Sequence, residues 1–339
     1  MIDSIIEEDL QKLDNDIPNG FEGRRILVTG GAGFIGSWIA DCLIRKKAIV
    51  AVLDDFSTGQ SGNVDHMLGH SHFKVLKCKV EDLEKGNEAY HYILHLAGRP
   101  APDDFQKHPV ETALPSFLGS YRVLELARKC DASAFFASSS EVYGQADVIP
   151  TPETYFGSVN VLGPRACYDE SKRLGEALFM AYHREYGLDV KIARIFNTYG
   201  PRLRSDGLYA RAVSRFIAQS LAGDDVTVYG DGSQMRSFCY VTDTVAAILK
   251  MLNVRGLNTP LNIGNPIEVS ILEIAKKIIQ LTSSDSKIVF GQLPPDDPRR
   301  RCPDITAASS RLAWKPSVSL DRGMERTVLW FRTNYASKH

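Results

Sequence analysis

The string Gly30-Gly31-Ala32-Gly33-Phe34-Ile35-Gly36 constrains this chain more than any other feature, because of what flanks it. A β-branched apolar run precedes it at 26–29, and a run with helical apolar spacing follows at 34–46. Strand, glycine loop and helix together make a phosphate cradle. Gly30 permits the tight turn, Gly33 lets the backbone approach a diphosphate, and Gly36 lets helix and strand pack closely. The free N–H groups of the helix start then face the phosphates.

Short β-branched runs at 26–29, 49–53, 73–76, 92–96, 134–138 and 190–194 alternate with helical segments. That rhythm predicts an α/β fold, a Rossmann-type doubly wound parallel sheet. Residues 23–200 are expected to form this cofactor-binding domain. Beyond 200 the pattern loosens into Gly- and Pro-punctuated pieces such as Tyr229-Gly230-Asp231-Gly232 and Leu293-Pro294-Pro295-Asp296-Asp297-Pro298. Residues 201–339 therefore read mainly as a smaller substrate-binding lobe, with some segments returning to the first domain. At the other end, Ile2, Ile5, Ile6, Leu10 and Leu13 keep helical spacing until Pro18-Asn19-Gly20 breaks it. Residues 1–22 are read as an amphipathic leader helix packed on its own domain.

Asp54 closes the second predicted strand, about 20 residues beyond the loop, where an acid hydrogen-bonds ribose hydroxyls and repels a 2′-phosphate. NAD is favoured over NADP. Tyr168 and Lys172 stand four apart in a helical segment, so their side chains share one face. A tyrosine ionises near pH 10 and serves as a base only where cations stabilise its phenolate; Lys172 and a nicotinamide cation are candidates. Between these motifs, Ser139, Ser140 and Glu141 follow a buried strand at its carboxyl edge, where open α/β sheets bind ligands. Ser139 is placed to hydrogen-bond a reacting hydroxyl, and Glu141 to exchange a proton at a carbon next to a carbonyl.

From about residue 24 to 333 the chain resembles the extended short-chain dehydrogenase/reductases that act on nucleotide sugars, and most closely the UDP-glucuronate decarboxylase (UDP-xylose synthase) family. General markers are the glycine loop, His95-Leu96-Ala97, the Tyr/Lys pair, the stretch 194–202 and the stretch 236–243. More discriminating are Ser139-Ser140-Glu141, Gly163-Pro164-Arg165-Ala166-Cys167-Tyr168-Asp169-Glu170-Ser171-Lys172-Arg173 and Asp296-Asp297-Pro298-Arg299-Arg300-Arg301-Cys302-Pro303-Asp304-Ile305. The related 4,6-dehydratases carry an acid where this chain has Ser140, and simple 4-epimerases usually lack the glutamate. GDP-mannose 4,6-dehydratases share a similar triplet but generally use NADP, which Asp54 disfavours. A non-catalytic NAD-binding scaffold has no need of Ser139, Glu141, Tyr168 and Lys172 together.

The resemblance implies a cycle in which Tyr168, assisted by Ser139, takes the carbon-4 hydroxyl proton while hydride passes to NAD. The resulting 4-keto acid loses carbon dioxide, Glu141 and Ser140 manage the proton at carbon 5, and the hydride returns. It also implies NAD contacts from Gly30, Gly33, Phe34, Ile35, Gly36, Asp54, Asp55, Ser57, Thr58, Gly59, Leu96, Ala97, Tyr168 and Lys172. Substrate contacts are expected from Arg99, Glu141, Asn197, Arg202, Arg236 and Arg301, with Arg301 beside the reacting glucuronate. No metal is implied. Helices at about 109–129 and 165–186 resemble those that pair in family homodimers. Three positions depart from the family: Gly98-Arg99-Pro100-Ala101-Pro102 in the sugar loop, Lys79-Val80 near adenine, and Pro115 within a helix wall. Proline removes a helical hydrogen bond, so a kink is expected there.

Composition narrows the partners. A formal net charge of −1 argues against nucleic acid, which demands a dense basic surface. No apolar run approaches the roughly 20 residues that cross a bilayer, and residues 1–22 lack the basic-then-apolar order of a signal peptide. Six scattered cysteines without a C-x-x-C pair read as reduced thiols. A cytoplasmic protein follows, with neither nucleic acid nor membrane as partner.

Overall fold

The computed structural model describes residues 3–84 and 88–336 of the chain, so Ile2 lies outside the described residues. Seven parallel strands make the central sheet: β1 (Arg25–Thr29), β2 (Ile49–Asp54), β3 (Phe73–Lys77), β4 (Tyr92–His95), β5 (Ser133–Ser139), β6 (Val190–Ile195) and β7 (Leu261–Ile263). Their order is β7-β6-β5-β4-β1-β2-β3. The first six are the runs the sequence displays. The short β7 is not, because three residues are too few to show a period. Burial on both faces explains the unbroken aliphatic runs at 26–28 in β1 and 49–53 in β2.

The order reverses between β1 and β4, and a crevice opens there at the carboxyl ends of the strands. Gly30 takes φ +69°, and a Cβ on Gly36 would lie 2.3 Å from the Gly30 carbonyl oxygen. Any larger residue at 36 would push the helix Phe34–Arg45 off the sheet and open the loop.

The helical wall over 109–129 divides into Pro109–Leu114, a wide π-helical turn Pro115–Gly119, and Ser120–Cys130. Pro115 lacks an N–H and cannot tolerate a regular preceding turn. Its carbonyl accepts a hydrogen bond from His95 Nε2 at 3.0 Å, and Thr29 Oγ1 lies 2.8 Å from His95 Nδ1. Burial, aided by the Lys172 charge, drives the His95 pKa down to about 3. The imidazole is therefore neutral, donating through Nε2 and accepting at Nδ1.

Beyond β6 the chain builds a smaller layer of short pieces. Val226–Tyr229 pairs in parallel with Ile288–Gly291, while Met235–Ser237 is flanked by Glu268–Ser270 and Arg300–Arg301. Arg301 stands in register with Arg236, so two distant sequence segments present cations side by side. The leader helix Ser4–Asp14 is capped by Asp3 and buries Ile5, Ile6, Leu10 and Leu13 against helices Phe34–Arg45 and Val241–Leu252. Its buried Asp9 accepts from the Tyr240 hydroxyl at 2.6 Å and pairs with Arg326 at 2.7 Å. The leader is thus fastened to both ends of the fold. Among the described residues no helix is long and apolar enough to cross a membrane.

Candidate active site

One continuous cavity of about 820 Å³ joins the glycine loop to the lobe strands. Gly30, Gly33, Phe34, Ile35 and Gly36 line one end with Asp54, Asp55, Ser57, Thr58, Leu96 and Ala97. Gly59 stands behind this lining, where an added Cβ would lie 2.7 Å from an Asp54 oxygen. Asp54 does more than face the cavity. One oxygen accepts the Ala32 N–H and the other the Phe56 N–H, each at 2.9 Å, which ties the glycine loop to the end of β2. Each oxygen keeps a second lone pair for a ribose hydroxyl. Lys79 and Val80 line the same end.

The helix Ala166–Tyr186 brings Tyr168 and Lys172 to the middle of the cavity, both more than nine-tenths buried. Lys172 Nζ donates to the Ala137 carbonyl at 2.9 Å and stands 5.8 Å from the centre of the Tyr168 ring. Burial lowers its pKa to about 8 against the opposing charge of Glu176. Burial also pushes the Tyr168 hydroxyl up to about 12, opposed by its hydrogen bond with Ser139 and by the charge of Arg211. Arg211 is thus a cation that favours the Tyr168 phenolate and that the sequence did not reveal, beside Lys172. Arg211 precedes the helix Ala212–Ala222 and lines the cavity. Its segment carries no periodic pattern to reveal it.

Ser139 caps the turn Ser140–Tyr143, its hydroxyl accepting the Glu141 N–H at 3.3 Å. Arg301 Nη1 donates to the carbonyls of Ser140 and Gly144, both at 2.9 Å, and so locks that turn. Two guanidinium groups converge on a single Glu141 oxygen: Arg165 Nη2 at 2.5 Å and Arg301 Nη2 at 2.8 Å. Burial works to raise the Glu141 pKa, but Arg301 and Arg165 outweigh it and hold the carboxyl at about 2. Glu141 is thus a carboxylate at neutral pH, with no proton of its own to give. Arg165 lies within a discriminating motif, yet only the fold shows its target, 24 positions away.

Asp169, beside Tyr168, behaves oppositely. Burial and then the Glu141 charge push its pKa up to about 7, Arg165 Nε is 3.9 Å away, and Oδ1 is buried without a hydrogen-bond partner. Its unfolded counterpart ionises near pH 4. Stability is therefore lost as pH rises from about 4 to 7 and stays lost above. For Glu141 the sign reverses: its contribution is present above about pH 4 and is lost as pH falls toward 2. We expect Asp169→Asn to raise the melting temperature more at pH 8 than at pH 5. An equal shift at both would contradict a raised Asp169 pKa.

Asn197 and Arg236 line the lobe end of the cavity, with Arg236 Nη2 donating to Asp297 at 2.8 Å. The two other expected substrate cations, Arg99 and Arg202, also line the cavity, each paired with a buried acid. Arg202 is 4% exposed, donates to Asp41 at 2.6 Å and lies over the Trp38 ring, so its charge ties the segment after Tyr199 to the helix Phe34–Arg45. Arg99 forms a two-pronged pair with Asp104, Nε to Oδ2 at 2.9 Å and Nη2 to Oδ1 at 2.7 Å. Nearby charge went unseen because each partner acid is fixed only by the fold.

Residues 26–264 match the model of the NAD dependent epimerase/dehydratase family. UDP-glucuronic acid decarboxylase 1 of Xenopus tropicalis is 43% identical over 310 residues, 91% of this chain and 72% of that protein. UDP-glucuronic acid decarboxylase 6 of Arabidopsis thaliana is 43% identical over 302 residues, 88% of this chain and 86% of its own length. Among solved structures, a UDP-glucuronic acid 4-epimerase from Bacillus cereus, in complex with UDP-glucuronic acid and NAD, aligns with a TM-score of 0.84 at 27% identity. That alignment covers 92% of this chain and 100% of the epimerase. A fold whose crevice opens at the strand reversal, a glycine loop tied down by an acid, and a Tyr/Lys helix meeting a Ser-Glu strand end have one common setting, and this chain belongs to the NAD dependent epimerase/dehydratase family.

Proposed function

We propose that the chain converts UDP-glucuronate to UDP-xylose as a cytoplasmic homodimer, with NAD bound at the glycine loop and restored in every cycle. The observation that carries this reading is the double arginine clamp on Glu141 beside Ser139 and Tyr168. A site of that kind handles a sugar acid, and relatives 41–43% identical over most of the chain are decarboxylases of UDP-glucuronic acid.

The glycine cradle and Asp54 fit NAD, because neither Gly30 nor Gly36 leaves room for a side chain and Asp54 disfavours a 2′-phosphate. When bound, NAD accepts hydride from carbon 4 of the sugar and later gives it back. Tyr168 takes the hydroxyl proton from that carbon, with Ser139 hydrogen-bonded to it and Arg211 favouring the phenolate. The 4-keto acid then breaks its bond between carbons 5 and 6. Carbon dioxide leaves, and the electron pair enters the carbon-4 carbonyl as an enolate. The sugar carboxylate competes with Glu141 for the guanidinium groups of Arg165 and Arg301. Freed from that clamp, Glu141 rises from its depressed pKa, takes a proton from water and, with Ser140, delivers it to carbon 5, while Tyr168 returns its proton to the carbon-4 oxygen as the hydride comes back.

Purified protein supplied with NAD and UDP-glucuronate should release carbon dioxide and show a UDP-pentose by NMR. A UDP-hexuronate product without gas would make the chain a 4-epimerase like the structural neighbour, and no turnover would defeat both readings. Exposed Val110, Phe117 and Tyr121 on the kinked wall, and Leu174 on the catalytic helix, support a self-complementary pairing of two copies. Light scattering is expected to return twice the chain mass; the single mass would count against it.

A further inference from the structure

We propose that the Arg99–Asp104 pair is a clamp that sets the short helix Pro102–Lys107, so that Phe105 holds the Tyr168 ring and the Arg165 guanidinium in their working positions. Arg99 is then a positioning residue, not a grip on the substrate.

A helix of six residues has little stability of its own. It begins with a proline, and its first hydrogen bonds, from the Asp104 and Phe105 N–H groups, both end on the Ala101 carbonyl. Something else must fix its direction. Arg99, in the loop just after β4, reaches Asp104 through two parallel bonds, which set orientation as well as distance. The Asp104 carboxylate is wholly buried. Drawing Arg99 onto a substrate would leave that charge unpaired, which the fold resists.

Phe105 is the next residue, 1% exposed. Its ring lies parallel to that of Tyr168, tilted by 5° with centres 5.4 Å apart. The Arg165 guanidinium carbon is 5.5 Å from the centre of the same ring. The Phe105 carbonyl accepts from Cys167 Sγ at 3.5 Å, between those two partners in sequence. One apolar ring thus touches the residue that moves the hydroxyl proton and the residue that clamps Glu141. Arg99 belongs to the sugar-loop segment where this chain departs from the family pattern, and Asp104 follows two residues beyond it.

The assignment rests on the proposed reaction, and two variants of the full chain test it. Arg99→Lys keeps the charge but loses the fork; Phe105→Leu keeps apolar bulk but loses the ring. With saturating NAD, each is expected to lower kcat for carbon dioxide release about tenfold, because misplaced catalytic groups act on turnover. KM for UDP-glucuronate should stay within about twofold. Phe105→Tyr should recover most of the loss, and the combined Arg99→Lys, Phe105→Leu chain should be no slower than Phe105→Leu, since both act along one path. Hydrogen exchange supplies a readout free of the reaction: amides of 102–108 and 165–169 should exchange about tenfold faster in Arg99→Lys. A raised KM with unchanged kcat in Arg99→Lys would make Arg99 a substrate ligand and overturn the proposal, as would unchanged exchange. If the parent protein releases no carbon dioxide, the functional reading fails, while the exchange result still decides the clamp.

Discussion

Tyr168→Phe is expected to lower decarboxylation about a thousandfold, in the range typical of a removed general base, while the protein stays folded and binds NAD. The substitution deletes one oxygen from a ring whose stacking on Phe105 does not depend on it. What disappears, on the proposed mechanism, is the proton acceptor for the carbon-4 hydroxyl. Ser139 remains, but a serine hydroxyl is far too weak an acid to replace the phenolate. Arg211 and Lys172 remain as well, so the loss reports the proton transfer and not the charge of the site. Carbon dioxide release measures turnover, and quantifying nucleotide freed by denaturation measures bound NAD. Turnover within tenfold of the parent would remove Tyr168 from the mechanism.

Legibility in the sequence followed the range of the interaction. The six strands and the glycine loop were readable because a period or a strand-loop-helix context is local. The Tyr168/Lys172 pairing was readable for the same reason, since four positions on a helix define a face. Charges were not. Arg202 gives no sign in the sequence of its buried partner Asp41, 161 positions away. Arg211 looks like any loop cation until the fold brings it to the cavity that Tyr168 also lines. Arg165 sits in a recognisable motif, but its convergence with Arg301 on one Glu141 oxygen needs residues 24 and 160 positions away to close on a single strand end. Phe105 shows the same limit for apolar groups: a lone aromatic in a short helix announces burial, not which ring it will face.

That convergence yields the second prediction with a large effect, and its two halves have opposite signs. In Glu141→Gln the side chain keeps its volume but loses its charge, leaving Arg301 without its paired carboxylate and Arg165 with only Asp169, 3.9 Å away. Removing one partner of a buried ion pair typically costs about 3–5 kcal/mol, so the unliganded protein should melt at a lower temperature. UDP-glucuronate brings a carboxylate of its own. With no Glu141 to compete for the two guanidinium groups, it should bind more tightly than to the parent protein. Turnover should fall by about a hundredfold or more, because no carboxylate remains to direct a proton to carbon 5. Oxidation at carbon 4 does not require Glu141, so the sugar should accumulate in its keto form, visible by NMR and by the absorbance of reduced nicotinamide. Calorimetry gives the affinity, and gas release gives the turnover. Weaker binding would mean that Glu141 and the substrate carboxylate do not share the arginines; unchanged product formation would assign the proton at carbon 5 to another group, with Asp169, its pKa raised by burial, the first to test.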